Sequence, residues 1–221
     1  MKAGNAKRFV PLLVIAVATV AALASAAAFA VRVLQGSVTV APATSAKGAA
    51  CTGFYSSAVE QGIPLPQAGT NYNAPTYGTN SISVTPSTPV CQWTSNSTTY
   101  TLYGSLQVNV PVTVGRWYIK DFYGFGYNGT ATDPVVYVYL KVESAASTQY
   151  LSDAELLVYN ATTGDLIGPL DLTSSSATLG PIKMRPGTAL QLDLELTGTA
   201  QGTTSFAVGF YVTQSTGETP R

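Results

Sequence analysis

Two cysteines, Cys51 and Cys91, and a complete lack of histidine set the chemistry open to this 221-residue chain. Without histidine there is no usual general base, no usual zinc ligand and no Ser-His or Cys-His catalytic pair. In an exported chain the two cysteines are expected to form a disulfide, because oxidising compartments favour the bond over free thiols. Closing a loop of about 40 residues is worth on the order of 4 kcal/mol in the chain-entropy model. The enclosed sequence, typified by Pro64-Leu-Pro-Gln-Ala-Gly-Thr-Asn-Tyr-Asn-Ala-Pro, is rich in turn formers and poor in core residues, so it needs such a staple.

Two carboxylate pairs, Asp153 with Glu155 and Asp193 with Glu195, alternate along predicted strands and so share a strand face. They offer oxygen ligands of the kind calcium takes, but no loop with EF-hand spacing accompanies them. Nothing brings them together across a cleft as a glycosidase requires. The plain reading is the wet face of a strand. With no nucleophile and base, metal cluster or phosphate loop to assemble, an enzyme is not expected, and neither is a cofactor.

Asn96-Ser-Thr, Asn128-Gly-Thr and Asn160-Ala-Thr fit the N-glycosylation sequon, and Asn160 is expected to be exposed on a turn. The run Trp117-Tyr-Ile-Lys-Asp-Phe-Tyr-Gly-Phe-Gly-Tyr offers an amphipathic aromatic surface for stacking on sugar or another fibre. The plainer reading makes Ile119 and Phe122 core and the tyrosines rim.

The elements that must position these residues begin with an export signal over residues 1–28. Lys2, Lys7 and Arg8 form a basic start, Phe9 to Leu23 is apolar, and Ala22 to Ala30 is packed with the small residues that signal peptidase accepts. The sequence that follows alternates as a strand does, but its phase flips. Phe29, Val31 and Val33 are odd-numbered, Val38 and Val40 even-numbered, and Gly36 lies between them. One flat strand cannot bury both sets on one side, so a break at Gly36 is expected. It divides an arm over residues 29–36, whose contact residues are Phe29, Val31, Val33 and Leu34, from an inner strand over Ser37 to Ala41. The arm either adds itself as a strand to a sister subunit or folds back as an edge strand of its own domain. Head-to-tail addition that does not close on itself produces filaments.

Residues 37–221 are expected to form one domain carrying the disulfide-closed insertion 51–91. Hydrophobic residues make up 46% of the chain and charged residues only 10%, against about 25% charged in ordinary globular domains. Loss of the signal leaves eight basic against eleven acidic residues, a net charge of −3, and no basic patch for nucleic acid. Membrane contact is expected only through the signal before cleavage.

Alternation marks the strands. Leu106, Val108 and Val110 run up to Pro111, which marks an edge or a kink before Val112 and Val114 resume on the same parity, and Val136, Val138, Leu140 and Val142 alternate with two tyrosines and a lysine. Ala154, Leu156 and Val158 lead into Asn160-Ala-Thr-Thr-Gly-Asp and then Leu166, which predicts a hairpin. Leu190, Leu192, Leu194 and Leu196 follow the Arg185-Pro-Gly turn, and Phe206, Val208, Phe210 and Val212 close the pattern. With no helical stripe after Val40, the expected fold is all-β, an antiparallel, jelly-roll-like β-sandwich with an N-terminal donor strand after a signal peptide.

The order of these parts resembles the TasA and camelysin biofilm-matrix proteins and, more closely, the related archaeal bundling pilins. The resemblance rests on Ala28-Phe29 through Gly36-Ser-Val-Thr-Val and on the late Met184-Arg-Pro-Gly-Thr-Ala-Leu-Gln-Leu-Asp-Leu-Glu-Leu pattern. It implies a secreted cell-surface subunit of a pilus or matrix fibre. Such a subunit polymerises with itself by donor-strand complementation and its filaments bundle with their neighbours. The Cys51–Cys91 segment departs from the bacterial members of that group. Two other functions compete. Cleavage near Lys7-Arg8-Phe9 would leave a long apolar helix, resembling an archaeal type IV pilin. A non-polymerising wall or carbohydrate-binding module would instead use the aromatic run.

Overall fold

Leu190, Leu192, Leu194 and Leu196 are all buried, while their neighbours Gln191, Glu195 and Thr197 are half-buried, so the alternation read from the sequence translates directly into a strand with one apolar face. The computed structural model describes residues 30–35, 51–56, 82–95 and 97–220, and among these the fold is all-β with no α-helix. The strands are β1 (Ala30–Gln35), β2 (Thr52–Tyr55), β3 (Ser83–Pro86), β4 (Pro89–Ser95), β5 (Thr98–Tyr103), β6 (Ser105–Asn109), β7 (Gly115–Tyr127), β8 (Val136–Ser144), β9 (Leu151–Asn160), β10 (Leu166–Asp171), β11 (Thr178–Met184), β12 (Thr188–Gly198) and β13 (Ala207–Thr213).

They form two sheets. One has the order β11-β8-β13-β1-β6-β3 and the other β10-β9-β12-β7-β2-β5-β4. The apolar faces of β8, β13 and β6 from the first sheet, and of β9, β12 and β7 from the second, meet in one cluster. At its centre Phe54, Phe125 and Phe210 pack ring against ring, with centroids 4.9–5.2 Å apart. This is a face-to-face β-sandwich. All pairings are antiparallel among the described residues except β1 with β6.

The hairpin after Val158 forms as expected: the Asn160 N–H donates to the Asp165 carbonyl and Gly164 supplies a φ of 75°. Strand β6 stops at Asn109, two residues before Pro111, and Val112 and Val114 do not resume it.

The cysteine-closed segment is more integral than its composition suggests. Its two described ends supply β2 to one sheet and β3 to the other, and Phe54, Ile82 and Val84 enter the main core. Cys51 and Cys91 are bonded, with Cα atoms 5.7 Å apart. Around the bond, on the other side of the second sheet, Tyr55, Tyr100, Leu102 and Ala189 form a second small apolar cluster. Gly53 lets β2 approach β5, since a Cβ there would lie 2.6 Å from the Tyr103 carbonyl oxygen.

Candidate assembly site

The first described strand of the chain does not sit at an edge. Strand β1 fills a central slot of the six-stranded sheet, antiparallel to β13 on one side and parallel to β6 on the other. Of the two pairings the sequence leaves open, the structure describes the one within the chain, and it corrects the position from edge to centre. Phe29, Gly36, the Ser37 to Ala41 segment and the signal over residues 1–28 lie outside the described residues.

The slot has two faces. On β13, Val208, Phe210 and Val212 are fully buried and mark its core-facing positions, whereas Gly209 and Tyr211 belong to the outer face. In register with the core-facing three stand Leu34, Arg32 and Ala30, while Val33 and Val31 stand opposite Gly209 and Tyr211. Leu34 is also in register with the buried Leu106 of β6. Val31 and Val33 are therefore one residue out of step with the core-facing positions, and Arg32 is in register with one of those positions.

The outer rim of the slot carries a carboxylate that sequence reading did not single out. Glu143 accepts the Tyr211 hydroxyl and lies 3.7 Å from the Lys141 ammonium. Burial, and then the bond to Glu143, raise the Tyr211 pKa well above its ordinary value. A Cβ at Gly209 would lie 2.6 Å from the Tyr211 ring and 3.1 Å from Glu143 Oε1, so only glycine leaves room for this cover. The available signal was a glycine in the middle of an otherwise alternating strand. Past the partners of Gln35, between the end of β6 and the segment leading into β13, opens a groove of about 1000 Å³. Val108, Val112, Leu151, Leu196 and Phe206 line its apolar part.

The remaining candidates are dispersed. Asn96 lies outside the described residues. Asn128 is half-buried and its Nδ2 donates to the Gln92 carbonyl at 2.7 Å, tying β4 to the end of β7. Asn160, expected in solvent, is half-buried because its Oδ1 turns back to accept the Thr162 and Thr163 N–H groups at 2.9 and 3.3 Å. That is the local competition for backbone donors by which Asn shapes turns.

The aromatic run is mostly core. Ile119, Phe122, Tyr123, Phe125 and Tyr127 are buried, so the tyrosines expected at the rim reduce to Tyr118, which is 48% exposed. Trp117 is half-buried and its indole N–H donates to the Thr113 carbonyl at 2.8 Å.

The carboxylate pairs do not form a wet ladder either. Asp193 is buried and accepts the Tyr118 hydroxyl, the Asp121 N–H at 2.7 Å and Gln191 Nε2 at 3.1 Å. Glu195 pairs with Arg116, whose Nε donates to it at 2.6 Å. Glu195 stands opposite Glu155, which in turn stands opposite Asp171. Burial first, and then these like charges, raise the Glu155 pKa, with Arg116 opposing. Among the described residues no group of three or more His, Cys, Asp or Glu side chains is arranged to hold a metal ion.

Comparison with known proteins leaves the site to be read from its own geometry. No family model matches the chain, and no curated protein matches its sequence.

Proposed function

We propose that this chain is a structural subunit of a secreted extracellular filament, a pilus or biofilm-matrix fibre, that polymerises head to tail by donor-strand complementation. The observation that carries the reading is the central place of β1. Among the described residues β1 is the first strand, so it can leave its sheet without threading past another described strand, and its removal opens a slot flanked by Val208, Phe210 and Val212 of β13 and Leu106 of β6. Unpaired backbone donors and acceptors on both sides of such a slot invite an identical strand from another copy. The strand state of residues 30–35 also supports a donor strand over a helix retained from Phe9 to Val33, since that helix would have to include Ala30 to Val33. The partner is a second copy of the same chain, and bundling would bring further filaments side by side.

The test is made on protein processed in its native host. Assembled material should begin within Ala27 to Val31 on N-terminal sequencing, appear as fibres by negative stain, and lose them on replacing both Val31 and Val33 with Asp. The double variant should remain a folded monomer, since in the intrachain register these two positions stand opposite the outer-face residues Tyr211 and Gly209. Long fibres from the double variant, a start at Phe9, or wild-type protein that stays single at high concentration would overturn the reading.

A further inference from the structure

The register of β1 within its own chain is not the one its sequence favours, and the mismatch has a direction. Core-facing positions suit apolar residues, and a guanidinium taken out of water without a partner is costly. Yet Arg32 stands opposite the fully buried Phe210, while the β-branched Val31 and Val33 stand opposite residues of the outer face. Because side chains alternate, a slip of a single residue exchanges the two faces completely.

Slipping by one toward the end of β1 would put Val31 opposite Phe210 and Val33 opposite Val208. The same slip would set Arg32 opposite Gly209. That position on the rim is where Glu143 already lies, 3.1 Å from the place a Gly209 Cβ would occupy, accepting the Tyr211 hydroxyl and 3.7 Å from the Lys141 ammonium. Hydrophobic phase and charge complementarity thus select the same register independently.

Resting on the donor-strand reading, we infer that the slot takes the strand of a second copy in a register shifted by one residue, with Val31 and Val33 at the core-facing positions and Arg32 paired with Glu143. The intrachain register is then a placeholder that closes the monomer less well than the neighbour's strand closes the filament. Assembly replaces a self-contact carrying a charge at a core position with a contact that is apolar inside and ionic outside. This gives exchange a direction without any added factor.

Cysteine pairs opposite Val208 read the register. Val33→Cys with Val208→Cys should give an intermolecular ladder on non-reducing gels of oxidised filaments. Leu34→Cys with Val208→Cys should link only within monomers, the register described here. A ladder from the Leu34 pair, alone or in equal yield with the Val33 pair, would overturn the shifted register while leaving strand exchange intact. Links found only within single chains of assembled filaments would overturn strand exchange itself. Charge reversal provides the second measurement, with folding of each variant checked by circular dichroism. Arg32→Glu should reduce fibre yield at least tenfold, and adding Glu143→Arg should restore most of it. Failure of the folded double variant to recover would refute the Arg32–Glu143 pairing.

Discussion

The Asp193 carboxylate accepts the backbone N–H of Asp121 at 2.7 Å, across the pairing of β12 with β7. Asp121 has a φ of 49° and sits where the ladder skips from Leu192–Tyr123 to Leu194–Ile119. An irregularity of this kind leaves an N–H without a ladder partner. A buried carboxylate supplies the missing acceptor and gathers the Tyr118 hydroxyl and the Gln191 amide as well.

Asp193→Ala should therefore destabilise the domain through its stranded donors more than through lost packing. Removing one partner from a buried polar group costs about 1–3 kcal/mol, and three donors lose their acceptor together, so a loss of about 3 kcal/mol is expected. Urea unfolding followed by far-ultraviolet circular dichroism would report it as a lower midpoint. A midpoint equal to that of the wild type would mean that the bulge holds itself.

Glu155 gives the fold a pH dependence of defined sign. Its folded pKa is raised above the ordinary value by burial and by Asp153, Glu195 and Asp171. In the interval above that ordinary value the folded chain keeps a proton that the unfolded chain has released, so this group's contribution to stability falls as pH rises through the interval. Glu155→Gln should then raise the melting temperature at pH 7, and the advantage should shrink to nothing by about pH 4, where the unfolded carboxyl is itself largely protonated. Calorimetry of both proteins across that range checks the sign. A variant that melts lower than the wild type at pH 7 would reverse it.

Much of this architecture was legible because most strands have one dry face. β8, β9, β12 and β13 each display an unbroken alternation, and the Asn160 to Asp165 turn carries its own chemistry. β7 was not legible as a whole. The expected core pair Ile119 and Phe122 has opposite parity, and the irregularity at Asp121, where four residues of β7 span two of β12, keeps Ile119, Tyr123, Phe125 and Tyr127 in one phase while burying Phe122 as well. Asp193 looked like one more wet-face carboxylate because its acceptor role depends on an irregularity in a strand more than 70 residues away. The central place of β1 depends on its two neighbours, β6 and β13, which lie far along the chain, and no local pattern in Ala30–Gln35 encodes them.

The Cys51–Cys91 bond anchors β2 and β4 around the small outer cluster of Tyr55, Tyr100, Leu102 and Ala189. Replacing both cysteines with serine should lower stability by about 4 kcal/mol, the value for constraining a loop of about 40 residues in the unfolded chain. The loss should appear as a lower urea midpoint that matches the wild type under reducing conditions. A reduced wild type as stable as the oxidised one would show that the paired strands, and not the bond, hold this face.

Tyr123 presents the opposite case, a polar group whose removal should help. Its ring belongs to the main core beside Phe122, with centroids 4.5 Å apart, and its hydroxyl is buried with no hydrogen-bond partner among the described residues. Burial also holds its pKa far above the ordinary tyrosine value, so the hydroxyl stays neutral throughout the useful pH range. An unpaired buried hydroxyl has given up its bonds to water for nothing in return, at a cost of about 1–3 kcal/mol. Tyr123→Phe keeps the ring and deletes only the orphaned atom, and is expected to raise stability by about 1 kcal/mol, with the rest of the penalty lost to the small void left behind. Matched thermal and urea unfolding of the two proteins decides it. A destabilised Tyr123→Phe would mean that the hydroxyl has a partner in solution, a bound water being the obvious choice, which a high-resolution crystal structure of the wild type would then reveal at Tyr123 Oη.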